Sequence, residues 1–225
     1  MIGNDVLMDY AQMNVKDFRY PLNIDLFARR YLGIDIRYRK LSDSGKLWGL
    51  TAYGGIEVEL PASGDGNTIL APEDTIYLEA MLMQPDKNKY RRFTIAHECG
   101  HHILARIVEQ RTGISFRRAF EPGRRYTSGE LKTAEDWGEW QANSLGALLL
   151  MPKSKITPHM AFGRKTHILA QCGDRFNSMD YEKIKALANM FDVSLGAMKI
   201  RLKDIGFVVN RLESEYADPL NVLVG

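Results

Sequence analysis

The sequence predicts an α+β fold, in which a small antiparallel or mixed sheet packs on a helical core and a pair of helices follows near the C-terminus. Three patterns indicate this class. Apolar and polar residues alternate at 34–38 and 56–60, as they do in strands with one buried face. Apolar residues recur at helical spacing from residue 86 to about residue 112 and again from about residue 133 to residue 151. A further helical pattern covers residues 179–206 and is broken near Asp192-Val193-Ser194, which predicts two helices.

In the N-terminal part of the chain, hydrophobic periodicity is weak at first and then clearly helical. Residues 1–20 show little periodicity and are predicted to be a loosely held lead-in. From Leu22 to Leu32 the apolar residues lie at helical spacing, and the next residue is Gly33, a residue type that often ends helices. A short helix is therefore predicted there.

Four segments that follow this helix have the alternation or the branched and aromatic content of strands: Ile34–Tyr38, Leu47–Tyr53, Ile56–Leu60 and Thr75–Met83. Gly54-Gly55 separates the second segment from the third and predicts a tight hairpin turn between them. Residues 61–67 (PASGDGN) have the composition of a loop. A sheet of three to five strands is expected.

Two longer helices are predicted next. The first begins near Asp86 and ends near Thr112-Gly113, and the second runs from about Thr133 to Met151 and stops at Pro152. Between them, residues 111–130 are rich in Arg, Gly and Ser and predict a long loop. These boundaries predict three parts of the chain: a lead-in at 1–20, a main domain at 21–152 and a helical C-terminal region at 153–225.

The composition is that of a soluble, cytoplasmic protein. The chain has 225 residues, a hydrophobic content of 45% and a formal net charge of +2, so its charge alone does not predict a nucleic-acid partner. Its two cysteines, Cys99 and Cys172, are too few for a disulfide scaffold and fit a reducing compartment. The first residues lack the basic and apolar regions of a signal peptide, and the apolar run at 145–151 is too short to cross a bilayer.

The strongest chemical signal is His97-Glu98-Cys99-Gly100-His101, an H-E-x-x-H pentapeptide within the first long helix. Because residues four apart lie one above the other on a helix, His97 and His101 can present both imidazoles to a single ion. Zinc accepts such nitrogen ligands and, in catalytic sites, keeps one position for water. Glu98 lies beside the first ligand, where its carboxylate can take a proton from that water.

A catalytic zinc site needs a third protein ligand, and Glu139 on the second long helix is the best candidate. The residues that follow it on the same face are Ala142, Asn143, Gly146 and Ala147. Such small side chains let two helices approach closely, and Asn143 can then hydrogen-bond a ligand histidine from behind. On spacing alone, Glu139 can also be an ordinary exposed carboxylate.

Other residues remain open as the third ligand: Glu135, Asp136, His159 and His167. His102 lies about 100° around the helix from His101 and is expected to point away from the ion. Cys99 is expected to pack in the core for the same reason.

At this point the chain resembles a known family. RRFTIAHECGHHIL (residues 91–104) and EWQANSLGALLLMP (residues 139–152) are similar to the two metal-site blocks of the ImmA/IrrE family of metallopeptidases, and a weaker similarity extends over residues 20–210. The resemblance implies a zincin-like core with His97, His101 and Glu139 as zinc ligands and Glu98 as the general base. It also implies a protein substrate, such as a helix-turn-helix transcriptional repressor.

Two further segments carry alternatives. Residues 187–202 (LANMFDVSLGAMKIRL) resemble a helix-turn-helix, but we favour packing of these helices over DNA contact, because Met198 and Leu202 must be buried. The loop at 111–130 holds five arginines and Tyr126, and it can act as a lid or exosite or simply be a solvated loop.

The main alternative to a peptidase is a regulatory protein that keeps the metal site but binds a partner or DNA without proteolysis. A second alternative is a metal-dependent hydrolase of non-peptide amides. The substrate and the oligomeric state have no signal in the sequence.

Overall fold

The fold is taken from a computed structural model, which describes residues 2–13, 20–42, 47–52, 56–59, 68–72, 74–107, 114–115, 131–162 and 165–217. The chain forms two compact units, Met1–Leu150 and Met151–Gly225. This division falls two residues before the predicted boundary at residue 152. No helix within the described ranges is long and apolar enough to cross a membrane.

The first unit begins with helix α1 (Ile2–Met13), so the prediction of a loosely held lead-in is wrong for these residues. Leu7 and Tyr10 are buried, and the Tyr10 ring stands edge-on to Phe27 with 5.1 Å between ring centroids. Gly3 is also buried and lies directly against the side chain of Leu148. The buried residues 3, 7 and 10 lie at helical spacing. Two of them are a glycine and a tyrosine, which are not strongly apolar, so hydrophobic periodicity in the sequence does not indicate this helix.

The helix predicted at 22–32 is confirmed. It consists of α2 (Ile24–Leu26), which continues into one π-helical turn at Phe27–Tyr31. The side-chain oxygen of Asn23 accepts a hydrogen bond from the backbone N–H of Leu26 and caps the first turn. The chain turns away at Gly33, whose φ of +70° lies in the region that favours glycine.

Among the described residues of the first unit, six strands follow: β1 (Asp35–Arg39), β2 (Gly49–Ala52), β3 (Ile56–Glu59), β4 (Thr68–Ala71), β5 (Thr75–Glu79) and β6 (Ile114–Ser115). Four of them form one sheet in the order β1-β5-β2-β6. β1 is parallel to β5, whereas β2 is antiparallel to both β5 and β6. The predicted small mixed sheet of three to five strands is therefore confirmed.

The predicted hairpin between the second and third strands is wrong for the described residues. β3 pairs with β4, while β2 pairs with β5 on one edge and with β6 on the other. The turn predicted at Gly54-Gly55 and the loop predicted at 61–67 lie outside the described residues. The cause is tertiary, because the partners of β2 come from sequence-distant segments that a local turn signal cannot indicate.

The strand predicted at Thr75–Met83 is correct only for its first part. β5 ends at Glu79, and a short 3-10 helix, Ala80–Met83, follows. The buried Glu79 carboxylate accepts hydrogen bonds from the backbone N–H groups of Ala80 and Leu41, at 3.1 and 2.7 Å. This side chain therefore caps the turn that ends the strand.

The part of the first unit that the structure describes also contains two long helices, α3 (Asn88–Ile107) and α4 (Ala134–Leu150). Their backbones approach closely at two glycines. A Cβ atom on Gly100 would lie 2.8 Å from the carbonyl oxygen of Ala142, and one on Gly146 would lie 3.0 Å from the backbone nitrogen of His97. The small-residue stripe on α4 therefore contacts the helix that carries the H-E-x-x-H pentapeptide, as predicted.

Replacing Gly100 by alanine tests this close approach. Because the added methyl group meets backbone rather than a flexible side chain, we expect Gly100→Ala to lower the free energy of unfolding by about 1–2 kcal/mol, despite the better helix propensity of alanine. Gly138 on α4 is the matched control, because a Cβ atom added there would enter open space, with no neighbouring element within 4 Å. Gly138→Ala should raise the stability by up to about 1 kcal/mol. Urea denaturation followed by circular dichroism measures both, and equal stability changes would contradict the packing.

The second unit contains strands as well as helices, so the prediction of a helical region at 153–225 is incomplete. Its helices are α5 (Lys153–Ile156), α6 (Ser178–Met190) and α7 (Leu195–Asp204). Its strands are β7 (Ala161–Phe162), β8 (Lys165–Thr166), β9 (Leu169–Cys172), β10 (Arg175–Phe176) and β11 (Val208–Arg211). β9 pairs with β10 and, in parallel, with β11. Strands of two to four residues are too short to show periodicity.

The predicted break between the last two helices is confirmed. α6 ends at Met190 and α7 begins at Leu195, with Asn177 and Ser194 as the respective N-caps. Between the helices Asp192 adopts a positive φ of 50°.

Candidate metal centre

The three residues predicted as metal ligands lie together in the first unit. His97 and His101 are on one face of α3, Glu139 projects from α4, and all three side chains are buried. The Nε2 atoms of the two histidines are 3.1 Å apart. Each lies 3.3 Å from a different oxygen of Glu139, Oε2 for His97 and Oε1 for His101. The donor atoms of the three residues are close enough to hold one metal ion.

The hydrogen bond behind His97 determines which of its ring nitrogens faces this centre as an acceptor. Nδ1 of His97 lies 3.0 Å from Oδ1 of Asn143, and because an amide oxygen can only accept, the proton is on Nδ1. In the neutral ring Nε2 then carries the lone pair and faces the Glu139 carboxylate. A positive charge between these two atoms, either a proton on the imidazole or a metal ion, removes their repulsion, so the arrangement is compatible with a metal ion at the centre.

The Glu139 carboxyl is ionised in this environment. Burial on its own would raise its pKa, but the contacts with His101 and His97 outweigh burial and hold the pKa below its usual range. A carboxylate that stays negative next to two imidazoles supplies the charge that a divalent cation requires at a buried site.

Glu98, the predicted general base, is also buried, and its carboxylate lies against strand β2. Its Oε2 accepts a hydrogen bond from the hydroxyl of Thr51 on β2, at 2.5 Å. Burial raises the pKa of Glu98 to about 7, although the nearby His97 and the Thr51 hydrogen bond act in the opposite direction. A carboxyl group with such a pKa can both accept and return a proton near neutral pH.

The sequence interpretation missed the contribution of β2. Gly49 lies against the same carboxylate, since a Cβ atom at this position would be 2.5 Å from Oε1 of Glu98. Thr51 and Gly49 have no chemical signature in the sequence, because they are ordinary residues of a strand. Only the packing of the sheet on α3 brings them to Glu98.

Asp136, one of the open candidates for the third ligand, has another role. Its Oδ2 accepts hydrogen bonds from the backbone N–H and the hydroxyl of Thr133, and its own N–H donates to that hydroxyl. This reciprocal pair is a capping box that starts α4. The side chain of Glu135 lies outside the described residues.

The remaining histidines and Cys99 also have other surroundings. His102 faces Asp74, with 3.3 Å between Nδ1 and Oδ1, and burial together with Arg106 and His101 lowers its pKa to about 3. His167 hydrogen-bonds Asp180 in the second unit at 2.8 Å. His159 is exposed. Cys99 is fully buried, as expected for a packing residue.

The basic residues on α7 are engaged within the second unit. Lys199 lies over the ring of Tyr181, 5.2 Å from its centroid. Arg201 donates from Nε to the carbonyl oxygen of Met151 at 2.8 Å, and Lys203 lies 3.5 Å from the side-chain oxygen of Gln171. Met198 and Leu202 are fully buried. These contacts favour the packing role over DNA contact.

The arginines and Tyr126 of the 111–130 loop lie outside the described residues.

The Asn143 contact leads to a prediction about metal affinity. Asn143→Ala removes the acceptor that orients His97, and loss of such a supporting hydrogen bond typically weakens metal binding about 10–100-fold. Competition with a chromophoric chelator measures this affinity. Ser144→Ala, at the exposed neighbouring position of α4, is the matched control and should bind metal like the unmodified protein. Unchanged affinity in Asn143→Ala would show that His97 needs no such support.

Comparison with known proteins does not add to this geometry. None of the protein-family models matches the chain, and none of the curated proteins does so either. The candidate centre therefore rests on its own residues: two histidines and a carboxylate brought together by two helices, with a second carboxylate held beside them.

Proposed function

We propose that this protein is a zinc-dependent metallopeptidase with a zincin-like core, in which His97, His101 and Glu139 hold the ion and Glu98 is the general base. The observation that carries the proposal is the close approach of the donor atoms: the two Nε2 atoms are 3.1 Å apart, and each lies 3.3 Å from a different oxygen of Glu139. Tetrahedral zinc with bonds of about 2.0–2.1 Å requires ligand atoms about 3.3 Å apart. Both the donor types and their separations therefore fit zinc.

The chain's own residues supply the proton chemistry of the proposed reaction. Zinc, when bound, supplies Lewis acidity toward water and the substrate carbonyl. Glu98 takes one proton from the attacking water and passes it to the nitrogen of the leaving amine as the C–N bond breaks. Asn143 keeps Nε2 of His97 directed at the centre, since its Oδ1 accepts a hydrogen bond from Nδ1–H of the same ring. Thr51 holds one oxygen of Glu98.

The proposed substrate is a peptide bond in a regulatory protein, such as a helix-turn-helix repressor. Support for this part comes from the resemblance of residues 91–104 and 139–152 to the ImmA/IrrE family. The helix-turn-helix-like pair formed by α6 and α7 is proposed to be structural, because the cations of α7 have partners within their own unit.

Removal of the metal tests the proposed function. We expect the purified protein to contain about one equivalent of zinc and to cleave candidate repressor proteins, with new termini identified by mass spectrometry. Treatment with 1,10-phenanthroline should abolish cleavage, and added zinc should restore it. Cleavage that persists after complete zinc removal would refute a zinc peptidase. Zinc binding without cleavage of any candidate protein or peptide would favour the regulatory, non-proteolytic alternative.

A further inference from the structure

We propose that Thr51 is a positioning residue for the general base, holding the Glu98 carboxylate in place through its hydroxyl group. This inference rests on the proposed metallopeptidase function and assigns a role to strand β2, which contributes none of the metal ligands. Thr51 is fully buried, and its Oγ1 donates a hydrogen bond to Oε2 of Glu98. The two residues are 47 positions apart in the chain, so the contact exists only in the folded protein.

The backbone that carries the hydroxyl is held on both edges. Thr51 lies opposite Ile76 of β5 on one edge of β2 and opposite Ser115 of β6 on the other. Its position is therefore fixed by strand pairing on both sides rather than by a mobile loop. A group on such a support can keep a neighbouring side chain within the narrow geometry that proton transfer requires.

The two faces of β2 have different roles. Leu50 and Ala52 belong to a buried apolar cluster that also contains Leu41, Leu47 and Tyr77. Because side chains alternate along a strand, Gly49 and Thr51 lie on the opposite face, next to Glu98. Gly49 leaves the room that the carboxylate occupies, and Thr51 supplies the hydrogen bond. Together, Gly49 and Thr51 allow the buried carboxylate of Glu98 to lie directly against the strand with a hydrogen-bond donor beside it.

A hydroxyl group suits a base that changes its protonation state. It donates to the carboxylate before the reaction and, after rotating, accepts from the carboxylic acid once Glu98 has taken the proton. Thr51 thus keeps its partner in both states without gaining or losing a proton itself. A main-chain N–H or a lysine could only donate, and its contact would be lost when the carboxyl group is protonated at that oxygen.

Binding of a small zinc ligand tests this role without knowledge of the natural substrate. Acetohydroxamic acid is the probe, because its coordination to zinc releases a proton that a correctly held carboxylate can accept. Zinc content, the melting temperature and the Kd for acetohydroxamate by calorimetry are measured for the unmodified protein, Thr51→Val and Thr51→Ser. Thr75→Val, which removes a buried hydroxyl from the neighbouring strand β5, is the matched control.

The expected results distinguish the hydrogen bond made by the Thr51 hydroxyl from the space that the side chain fills. Thr51→Val should keep zinc but bind acetohydroxamate about tenfold more weakly, as expected for loss of a hydrogen bond to a charged group. Thr51→Ser should stay within about twofold of the unmodified protein, since it retains the hydroxyl. The control Thr75→Val should not change the Kd. If the valine variant does not fold, Thr51→Ala replaces it in the same comparison.

Two results would overturn the inference alone: tight acetohydroxamate binding by zinc-loaded Thr51→Val, or an equal loss in the serine and valine variants. A different result would overturn the proposed function together with it, namely an unmodified protein that takes up no zinc. The metal content measured before the titration therefore distinguishes the two failures.

Discussion

Glu98→Gln is expected to abolish peptide hydrolysis while leaving the metal site intact. Glutamine has nearly the same shape as glutamate but cannot take a proton from water, and general-base catalysis of this kind typically contributes about 10²–10⁴-fold to the rate. Glu98 is not among the three proposed ligands, so the zinc content should stay near that of the unmodified protein. Cleavage of a candidate repressor, followed by mass spectrometry, and metal analysis by plasma emission are the two measurements.

The control for this variant has to show that loss of activity is not loss of structure. The Glu98→Gln protein should unfold at a temperature close to that of the unmodified protein, because Thr51 can still donate to the amide oxygen. Full hydrolytic activity in the glutamine variant would assign the base role elsewhere. Loss of hydrolysis with an undiminished regulatory effect in cells would contradict the peptidase as the physiological function.

Glu139→Ala is expected to remove the metal. Loss of a residue that only supports a ligand costs about 10–100-fold in metal affinity, so loss of a ligand itself should cost at least about 100-fold. The variant also leaves His97 and His101 without the carboxylate that lies 3.3 Å from each Nε2 atom. Purified Glu139→Ala should therefore contain less than about a tenth of an equivalent of zinc at chelator concentrations that the unmodified protein withstands.

A carboxylate outside the centre supplies the control for charge. Glu182→Ala on α6 removes an exposed acid that pairs at the surface with Lys185, at 3.4 Å. Its zinc content should be unchanged. Retention of zinc by Glu139→Ala would show that the third ligand is another acid or histidine. Glu135 would then be the next residue to substitute, because the carboxylate of Asp136 already caps α4.

His97, His101 and Glu139 could be singled out from the sequence as the leading candidates for one group, with other acids and histidines left open as the third member, because much of this information is local. His97 and His101 are four residues apart on one helix, and the small residues after Glu139 recur at the same spacing on another. Helical periodicity converts these spacings into shared faces, and the small side chains at Gly100, Ala142 and Gly146 determine how closely the faces meet. Asn143 could be placed behind His97 for the same reason. The two long helices and the mixed sheet were likewise predicted correctly.

Features of the fold that depend on contacts between sequence-distant segments could be learned only from the folded structure. The pairing of β2 with β5 and β6, rather than with β3, replaces the hairpin that a local turn signal predicted. The pairing of β9 with β11 joins segments separated by two helices, and α1 is identified by its burial rather than by its composition. Thr51 beside Glu98 belongs to the same class, since no spacing rule connects a strand residue with a helix residue 47 positions later. Such contacts depend on how the whole domain packs, and a pattern within a short segment of sequence carries no information about that packing.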